Sequence, residues 1–526
     1  MKKKFLCAIA MIVVIALPTM VFGQPSEEQE LIPLRAFFEE MGGAVSWSED
    51  ERVITVVLEG EQILIPLDES IRIYNDRAYI AQDGLVALFM ALSGMENVTF
   101  RLTEEARDLA LYDFDYMVNV TLENAVWDNI AYRRLGIPFD EHVAQFRGLI
   151  ETMTPFDAVY LPQHLPVRGG DDPHDMAADY LSHLLLHMFA PPLQGVGHLA
   201  PRELTMYRIL LSAFSLMYTD ENDSAAGSEH LRTLVETYTH PRAVWFYGEY
   251  EVDFEAGADP FPEIPDNVVT EIITPGEIAY LGIRSFMGSM EYDDAVILPF
   301  LRQVEDYEHL ILDVRGNLGG HGGYFSQLIM MRLMQENTEI LGGQFFTSGA
   351  EAQRVMHNIL EITQDAVENL DWLEVLRMEI VPSSEFVYEM GGMPYFNPDD
   401  LARLTHVLME ETHMFPYRMP EEERVNFNGK IWLLVDERSM SASVNAAMAA
   451  LTTGFATVVG ENTSGVTGPL HTYVMLPNTG IIWRLDIGHF TDNYGRSLEE
   501  FGVTPQIRNR EGMDALETVL AVIAES

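Results

Sequence analysis

The second half of the chain alternates between short apolar runs and longer segments with apolar residues at helical spacing. From about Glu277 onward the short runs are IAYLGI, HLILDV, IWLLVD and TVVGE, and the longer segments include YFSQLIMMRLMQE and SASVNAAMAALTT. Short apolar runs are typical of strands buried on both faces, and their alternation with helices is typical of a parallel sheet. The pattern predicts an α/β core over residues 271–526, with a mainly parallel sheet flanked by helices. A long, partly helical insertion is expected at about 343–428, as a lid or a wall of the substrate site.

Three serines in five positions follow one of the predicted strands. The segment RSMSASVN, residues 438–445, lies between the run IWLLV and an alanine-rich stretch. A helix N-terminus presents free backbone N–H groups and a partial positive charge. Two interpretations are open at this point: a serine caps the helix, or a serine is a nucleophile whose oxyanion these N–H groups stabilise.

Two further segments of this core carry residues of chemical interest. LDVRGNLGG, residues 312–320, is a strand that runs into a glycine-rich turn, where glycine permits positive φ and a close approach of backbone N–H groups to a ligand. No lysine follows these glycines, so a Walker-type phosphate loop is excluded. The other segment, SLEEFGVTPQI, places Glu499 ahead of a Gly-Val-Thr-Pro turn near the end of the chain.

The order and spacing of these segments resemble the tail-specific (C-terminal processing) serine protease family. The family pattern DLRGNxGG, TASASE, GExTxGK and E-x-x-G-I-x-P-D corresponds here to ILDVRGNLGG, SMSASV, GENTSGV and EEFGVTPQ. The resemblance implies a ClpP/crotonase-like core with Ser441 as the nucleophile. It also implies an oxyanion hole formed by Gly319 or Gly320 with the N–H group of Ala442, and it requires no metal or organic cofactor.

The residue that would activate the serine departs from the commonest family pattern. Many members use a lysine 25 residues after the serine, where this chain has Val466. Outside the first four residues the chain has one lysine, Lys430, which precedes a whole strand and at about 3.3 Å per residue lies well over about 15 Å from Ser441. The resemblance to the tricorn-like branch of the family implies His198 as the base and Glu499 as the residue that orients it. The alternative bases are His471, His321 and His174.

Other departures keep a second hypothesis open. Val444 stands where the family pattern has glutamate, Gln506 replaces an aspartate, and Gly197 offers no polar side chain beside His198. The first hypothesis is an exported serine endopeptidase that cleaves proteins or peptides through an acyl-enzyme. The second is a catalytically degenerate protease fold that binds peptides or other ligands at the cell surface. Glycan hydrolysis by paired carboxylates has no support, because no spaced pair stands out among the 81 acidic residues.

Residues 1–23 have the pattern of a secretory signal. Three lysines precede the apolar run Phe5–Leu17, and a short small-residue stretch follows. The run is shorter than the roughly 20 residues that a span needs, so we expect a bacterial protein that is secreted or held in the cell envelope without a stable membrane span. Cys7, the only cysteine, lies in this leader, so disulfides and thiolate metal sites are excluded. The net charge of −49 argues against nucleic acid as a partner.

Residues 24–97 have a pattern of their own. IPLRAFFEEMG, followed by Trp47, resembles the copper amine oxidase N-terminal-like domain, a small α+β module of exported bacterial proteins. The resemblance implies no copper here, and we interpret the segment as a structural module that sits at the cell wall. A helix ending at Gly42 and strands at Val53–Leu58 and Gln62–Pro66 are expected.

The chain between this module and the core is predicted to be helical and then irregular. Residues 98–215 carry apolar positions at helical spacing and include the candidate base. His183 and His187 stand four residues apart on one predicted helix, but the glutamate of a zincin motif is absent, so no metal site is assigned. Residues 216–270 are predicted to be a linker region without a complete PDZ domain.

Overall fold

The computed structural model divides the chain into two compact units. Unit 1 contains residues 1–100 and 156–162, and unit 2 contains residues 101–155 and 163–526. The residues that the structure describes are 31–33, 44–48, 53–58, 61–66, 71–74, 77–81, 96–160, 165–189, 199–204, 206–208, 210–211, 229–248, 263–367, 373–465, 470–491 and 495–525. Within these ranges no helix combines the length and the apolar character needed to cross a bilayer.

The described part of unit 1 consists of antiparallel strands. They are β1 (Leu31–Pro33), β2 (Ala44–Ser48), β3 (Val53–Leu58), β4 (Glu61–Pro66), β5 (Ile71–Tyr74), β6 (Arg77–Ala81), β7 (Glu96–Phe100) and β8 (Phe156–Tyr160). Three sheets form, in the orders β1-β6-β5, β2-β3-β4 and β7-β8. The strands predicted at 53–58 and 62–66 are confirmed, with β4 one residue longer. The predicted helix that ends at Gly42 lies outside the described residues.

Unit 2 begins with a helical stretch that falls within the segment predicted at 98–215. Its helices are α1 (Glu104–Asn124), α2 (Trp127–Leu135), α3 (Phe139–Glu151) and α4 (Pro173–Phe189). Thr103 caps α1 through its side chain, which accepts a hydrogen bond from the Ala106 amide, and two acidic residues occupy the first turn, where they complement the helix dipole. On α4, His183 is buried and its Nδ1 donates to the Asp179 carbonyl at 2.9 Å.

The remaining elements of unit 2 form the α/β core and its additions. The strands are β9 (Ala200–Pro201), β10 (Val268–Thr274), β11 (Ile278–Ile283), β12 (His309–Asp313), β13 (Thr338–Thr347), β14 (Leu373–Pro382), β15 (Leu404–Met414), β16 (Lys430–Val435), β17 (Thr457–Gly460), β18 (His471–Met475), β19 (Ile482–Asp486), β20 (His489–Phe490) and β21 (Ile507–Arg508). The helices are α5 (Glu229–Thr239), α6 (Pro241–Tyr247), α7 (Met290–Gln303), α8 (Met331–Leu333), α9 (Ala350–Val367), α10 (Ser383–Glu389), α11 (Pro398–Leu401), α12 (Ala442–Thr453), α13 (Leu498–Phe501) and α14 (Ala515–Glu525). About half of the predicted linker at 216–270 lies outside the described residues, and the described part contains α5, α6 and the start of β10.

The central sheet has six strands in the order β10-β11-β12-β16-β17-β21. β10 pairs antiparallel with β11, and each of the other four pairs is parallel. β12 and β16 are buried along nearly their whole length because helices and loops cover both faces of the sheet. The predicted α/β class with a mainly parallel sheet is therefore confirmed. The carboxyl ends of β12 and β16 lie side by side, so the turns that follow them meet at one edge.

The expected insertion contains more strand than the sequence indicated. Helices α9, α10 and α11 agree with a partly helical segment, but β14, β15, β13 and β20 form a separate antiparallel sheet in that order. The sequences of β14 and β15 mix apolar and charged residues without strict alternation. Such a pattern does not separate strand from helix, and the outcome is decided by tertiary pairing of β14 with β15 and of β15 with β13. A further small sheet has the order β18-β19-β9.

Candidate active site

The segment of residues 438–445, called the serine turn below, leads from β16 into α12 and holds Ser441 in an unusual backbone conformation. Ser441 has φ 54° and ψ −121° and directly precedes the first residue of α12. For a residue with a Cβ atom such a conformation costs about 1–3 kcal/mol and persists only where the surrounding structure enforces it. The sharp strand-to-helix turn presents this side chain at the edge of the sheet, in front of the helix N-terminus.

The three serines of the turn have different roles. Ser439 is fully buried and its Oγ donates to the Val314 carbonyl at 2.8 Å. Ser443 is also fully buried, and its Oγ donates to Asn317 Oδ1 at 2.8 Å. Ser441 is partly exposed, makes no side-chain capping bond to α12, and within the described part of the chain has no hydrogen-bond partner for its hydroxyl. The capping interpretation therefore fails for Ser441, and its hydroxyl is available for chemistry.

The turn after β12, residues 314–320, is called the glycine turn below and lies directly against Ser441. A Cβ atom on Gly319 would lie 2.7 Å from the Ser441 Cβ atom and 2.8 Å from the Ala442 amide nitrogen, so only glycine permits the approach. Gly320 packs still more closely, since a Cβ atom there would lie 2.2 Å from the carbonyl carbon of Phe286, whose amide donates to the Gly319 carbonyl at 3.0 Å. The two turns thus form one continuous backbone surface around the Ser441 side chain.

Asn317 connects the glycine turn to the serine turn by hydrogen bonds, a role that the sequence analysis did not identify. Its side chain is fully buried, with Nδ2 donating to the Ile283 carbonyl at 3.0 Å and Oδ1 accepting from the Gly319 amide at 2.8 Å and from Ser443 Oγ. Its backbone carbonyl accepts from the Met440 amide at 2.9 Å. A single side chain therefore connects β11, the glycine turn and the serine turn. Its place in the Arg315-Gly316-Asn317 motif was the one sequence signal that could have pointed to this role.

The predicted oxyanion donors differ in availability. The Gly319 amide is already bonded to Asn317 Oδ1, so in this structure it is not free to bind an oxyanion. Among the described residues, no acceptor bonds the amides of Gly320 or Ala442. Ala442 is the first residue of α12, where the N–H group has no intrahelical partner. The arrangement leaves Gly320 and Ala442 as the pair of candidate donors.

The segment that carries Glu499 is joined to the serine turn by the loop after β17. The Ser464 amide donates to the Ser439 carbonyl at 3.0 Å, and the Thr463 amide donates to the Val503 carbonyl at 3.1 Å. Val503 returns a bond to Thr463 Oγ1 at 2.8 Å. Glu499, in α13, is 1% exposed, a degree of burial that a carboxylate tolerates only with compensating partners. The GENTSG loop therefore holds the late Glu499 segment alongside the serine turn.

The histidines named as candidate bases have distinct surroundings. His198 lies outside the described residues, although Leu199, the next residue, is buried, and Ala200 pairs with Arg484 of β19. Of the alternatives, His321 Nδ1 accepts a hydrogen bond from the Gly323 amide at 3.1 Å. His174 Nδ1 donates a hydrogen bond to the Asn478 carbonyl, in the turn between β18 and β19, at 3.1 Å. His471 lies at the start of β18 opposite Asp486. Among the described side chains, no imidazole is hydrogen-bonded to Ser441.

Two of the departures from the family pattern have structural explanations. Val444 is fully buried in the hydrophobic core beside α12, where an apolar side chain packs without any need for a charge partner. Gln506 accepts a hydrogen bond at Oε1 from the Val458 amide at 2.9 Å and so fastens the last strand to β17. Lys430 lies at the opposite end of β16 from the serine turn, with its ammonium 3.9 Å from the ring centre of Trp432. Gln506 and Lys430 make no bond to Ser441 that the structure gives, and Val444 contacts it only through its backbone amide, which donates to the Ser441 carbonyl at 2.9 Å.

Comparisons with known proteins bear on this part of the chain. Residues 277–509 match the model of peptidase family S41. Among solved structures, the chain is similar to mature CPAF complexed with lactacystin, with 12% identity over 77% of this chain and 94% of CPAF and a TM-score of 0.42. It is also similar to the tricorn protease (13% identity, 92% of this chain, 41% of tricorn, TM-score 0.31) and to the photosystem II D1 C-terminal processing protease (14%, 46%, 48%, TM-score 0.27). No curated protein sequence matches the chain significantly.

The family match covers the segments around Ser441 and Glu499 but not the predicted base His198. The glycine turn, the serine turn, the GENTSG loop and the Glu499 segment all lie within residues 277–509. This segment is therefore similar to peptidase family S41, and the match supports a serine peptidase.

Proposed function

We propose that this chain, with its similarity to peptidase family S41, is a serine endopeptidase of the tail-specific type that hydrolyses peptide bonds through an acyl-enzyme on Ser441. The observation that carries the proposal is the strained conformation of Ser441, which directly precedes α12 and is the one serine of the three whose hydroxyl has no partner among the described residues. Strained backbone conformations cluster at functional sites. The substrate class is protein or peptide.

The proposed chemical steps combine the Ser441 hydroxyl with the predicted base and its predicted partner. His198 takes the proton from Ser441 Oγ as the oxygen bonds to the carbonyl carbon, and it then gives the proton to the leaving amine. The amides of Gly320 and Ala442 receive the negative charge that develops on the carbonyl oxygen. Glu499 orients the imidazole and stabilises its protonated form. Water then hydrolyses the acyl-enzyme by the same proton transfers in reverse order.

A fluorophosphonate probe tests the nucleophile directly. The wild-type protein is expected to be labelled and to degrade an unfolded substrate such as reduced casein, because the probe reports an activated serine rather than a merely exposed one. Ser441→Ala should lose both activities. Ser348→Ala, which removes an exposed serine hydroxyl, is the matched control and should keep both. A folded wild-type protein that neither reacts nor cleaves would favour the non-catalytic ligand-binding alternative.

The identity of the base is tested by a set of histidine variants. His198→Ala is expected to slow labelling by about 100-fold or more, the contribution typical of a general base. His471→Ala, His321→Ala and His174→Ala should each remain within a few fold of the wild type. If one of these three loses labelling while His198→Ala keeps it, the base is reassigned to that histidine and the nucleophile assignment stands.

The proposal also includes export and a modular N-terminus. Residues 1–23 would direct export from a bacterial cell, and residues 24–97 would contact the cell wall as a copper amine oxidase N-terminal-like module. The charged start and short apolar run of the leader support this. Mass spectrometry of the secreted or envelope-bound protein should give a mature N-terminus near Gln24. Recovery of the full-length chain from the cytoplasm alone would contradict it.

A further inference from the structure

Two adjacent arginines at the end of α2 reach the short helix that carries Glu499. Arg133 donates from Nε to Glu500 Oε2 at 2.8 Å and from Nη2 to Asp400 Oδ2 at 2.5 Å. Arg134 donates from Nη1 to the Glu499 carbonyl at 2.8 Å. The helical segment of unit 2 therefore holds α13 by two different contacts, one to each of two consecutive glutamates.

The hydrogen bond between Arg134 and the Glu499 carbonyl is tightly packed against Gly465. Gly465, the last residue of the GENTSG loop, packs against both the Arg134 guanidinium and the Glu499 carbonyl, and a Cβ atom there would collide with both. The same loop bonds the serine turn through the Ser464 amide. Arg134 thus contacts both α13, which carries Glu499, and the GENTSG loop, which connects α13 to the serine turn.

The charge of Arg134 also suits a position beside a buried carboxylate. Burial lowers the pKa of the Arg134 guanidinium, and attraction to Glu499 and Glu500 opposes that shift. Glu499 is 1% exposed, and a carboxylate buried to that extent stays ionised only with a nearby cation or several donors. A cation at this place therefore favours the ionised form of Glu499.

We propose that Arg134 is a positioning residue of the active site, which fixes the Glu499 segment against the serine turn and holds the Glu499 carboxylate in its ionised form. This inference rests on the proposed function, because Glu499 has a catalytic task only if Ser441 and a histidine carry out acyl transfer. Arg133 has a different role: its pairs with Glu500 and Asp400 anchor α13 without touching Glu499.

The two arginines supply a matched pair of variants on one helix. Arg134→Met removes the charge and the bond to Glu499, and it is expected to slow fluorophosphonate labelling at pH 7 by about tenfold or more, since small misplacements of catalytic groups have effects of this size. The acid limb of the rate–pH profile should move to higher pH by about one unit, because removal of a nearby cation leaves the Glu499 charge less compensated and so favours the protonated, inactive form of the histidine base. Arg133→Met should lower the melting temperature but change the rate by less than about threefold, with the limb unmoved.

Further variants separate positioning from general damage. Arg134→Lys keeps the charge and one donor and should restore most of the labelling rate. Gly465→Ala keeps Arg134 but displaces its guanidinium, so it should reproduce part of the Arg134→Met effect. The double variant Arg134→Met/Glu499→Gln should be no slower than Glu499→Gln alone. Labelling of Arg134→Met at the wild-type rate, or an equal loss and equal limb shift in Arg133→Met, would overturn the proposal.

A readout independent of activity distinguishes failure of this inference from failure of the proposed function. If Arg134 and Glu499 are coupled, the losses of melting temperature in Arg134→Met and Glu499→Gln are non-additive by at least about 2 °C at pH 7. The losses in Arg133→Met and Glu499→Gln should simply add. Additive losses for both pairs would refute the positioning role whether or not the protein reacts with the probe. Coupling without any labelling would retain the structural contact and reject the peptidase function.

Discussion

Gly319 lies so close to Ser441 that a Cβ atom on the glycine would stand 2.7 Å from the Cβ atom of the serine. The Gly319 backbone has φ 91°, a conformation that side chains with a Cβ atom rarely adopt. The turn after β12 and the turn after β16 are therefore built as one surface, and space for the serine depends on the absence of a single methyl group.

Gly319→Ala is expected to abolish fluorophosphonate labelling and to lower the free energy of unfolding by about 2–4 kcal/mol, from combined backbone strain and overpacking. The matched control is Gly322→Ala, three residues later, where an added Cβ meets no atom within 4 Å and the backbone φ is not positive. Labelling rate and denaturant unfolding measure the two effects. Equal behaviour of the two variants would contradict the close packing of Gly319 against Ser441.

Asn317→Ala should destabilise the protein by about 2–4 kcal/mol, because it leaves a buried carbonyl of β11, the Gly319 amide and the Ser443 hydroxyl without their partner. Labelling should fall with it, since the serine turn loses its fixed register. Asn428→Ala, at an exposed asparagine with one local bond to the Asn426 carbonyl, should be nearly neutral in urea unfolding. Retention of wild-type stability in Asn317→Ala would refute its linking role.

Ser441→Gly is expected to make the protein inactive and more stable at once. Glycine relieves the positive φ, so the free energy of unfolding should rise by about 1 kcal/mol, while the hydroxyl needed for labelling is gone. Ser441→Ala lacks the hydroxyl but keeps the strain, so it should be inactive without that gain. Thermal unfolding of the two inactive variants separates strain from chemistry. A Ser441→Gly protein less stable than Ser441→Ala would argue against backbone strain at this turn.

His183 predicts a loss of stability on mild acidification. Burial lowers the pKa of the His183 imidazole to about 4, below the value of about 6.5 in an unfolded chain. Between these values the unfolded state binds the extra proton, so this contribution is fully present above pH 6.5 and is lost as the pH falls toward 4. The contribution amounts to about 3 kcal/mol at most. His183→Gln should flatten the stability–pH curve in this window, and an unchanged slope would contradict the shift.

Several features could be predicted because they depend on local sequence. The apolar runs at β11, β12, β16 and β17 identified the strands and the α/β class, since a strand buried on both faces consists almost entirely of apolar residues. The alanine-rich segment identified α12. Exclusion of Lys430 as a base also followed from chain geometry alone. The strands of the β13–β15 sheet escaped detection because mixed polar and apolar residues do not fix a period.

Local sequence was sufficient to identify the buried strands, the helix after the serine turn and the three motif segments, because each is encoded within about ten neighbouring residues. The folded chain was needed to show which serine hydroxyl has no partner among the described residues, which glycine amide is already bonded, and how Asn317 joins the turns. Those answers depend on partners far apart in the chain: the bond of Ser443 to Asn317 spans 126 residues, and that of Arg134 to Glu499 spans 365. No local pattern records such pairs, since they form only when the sheet brings its strand ends together.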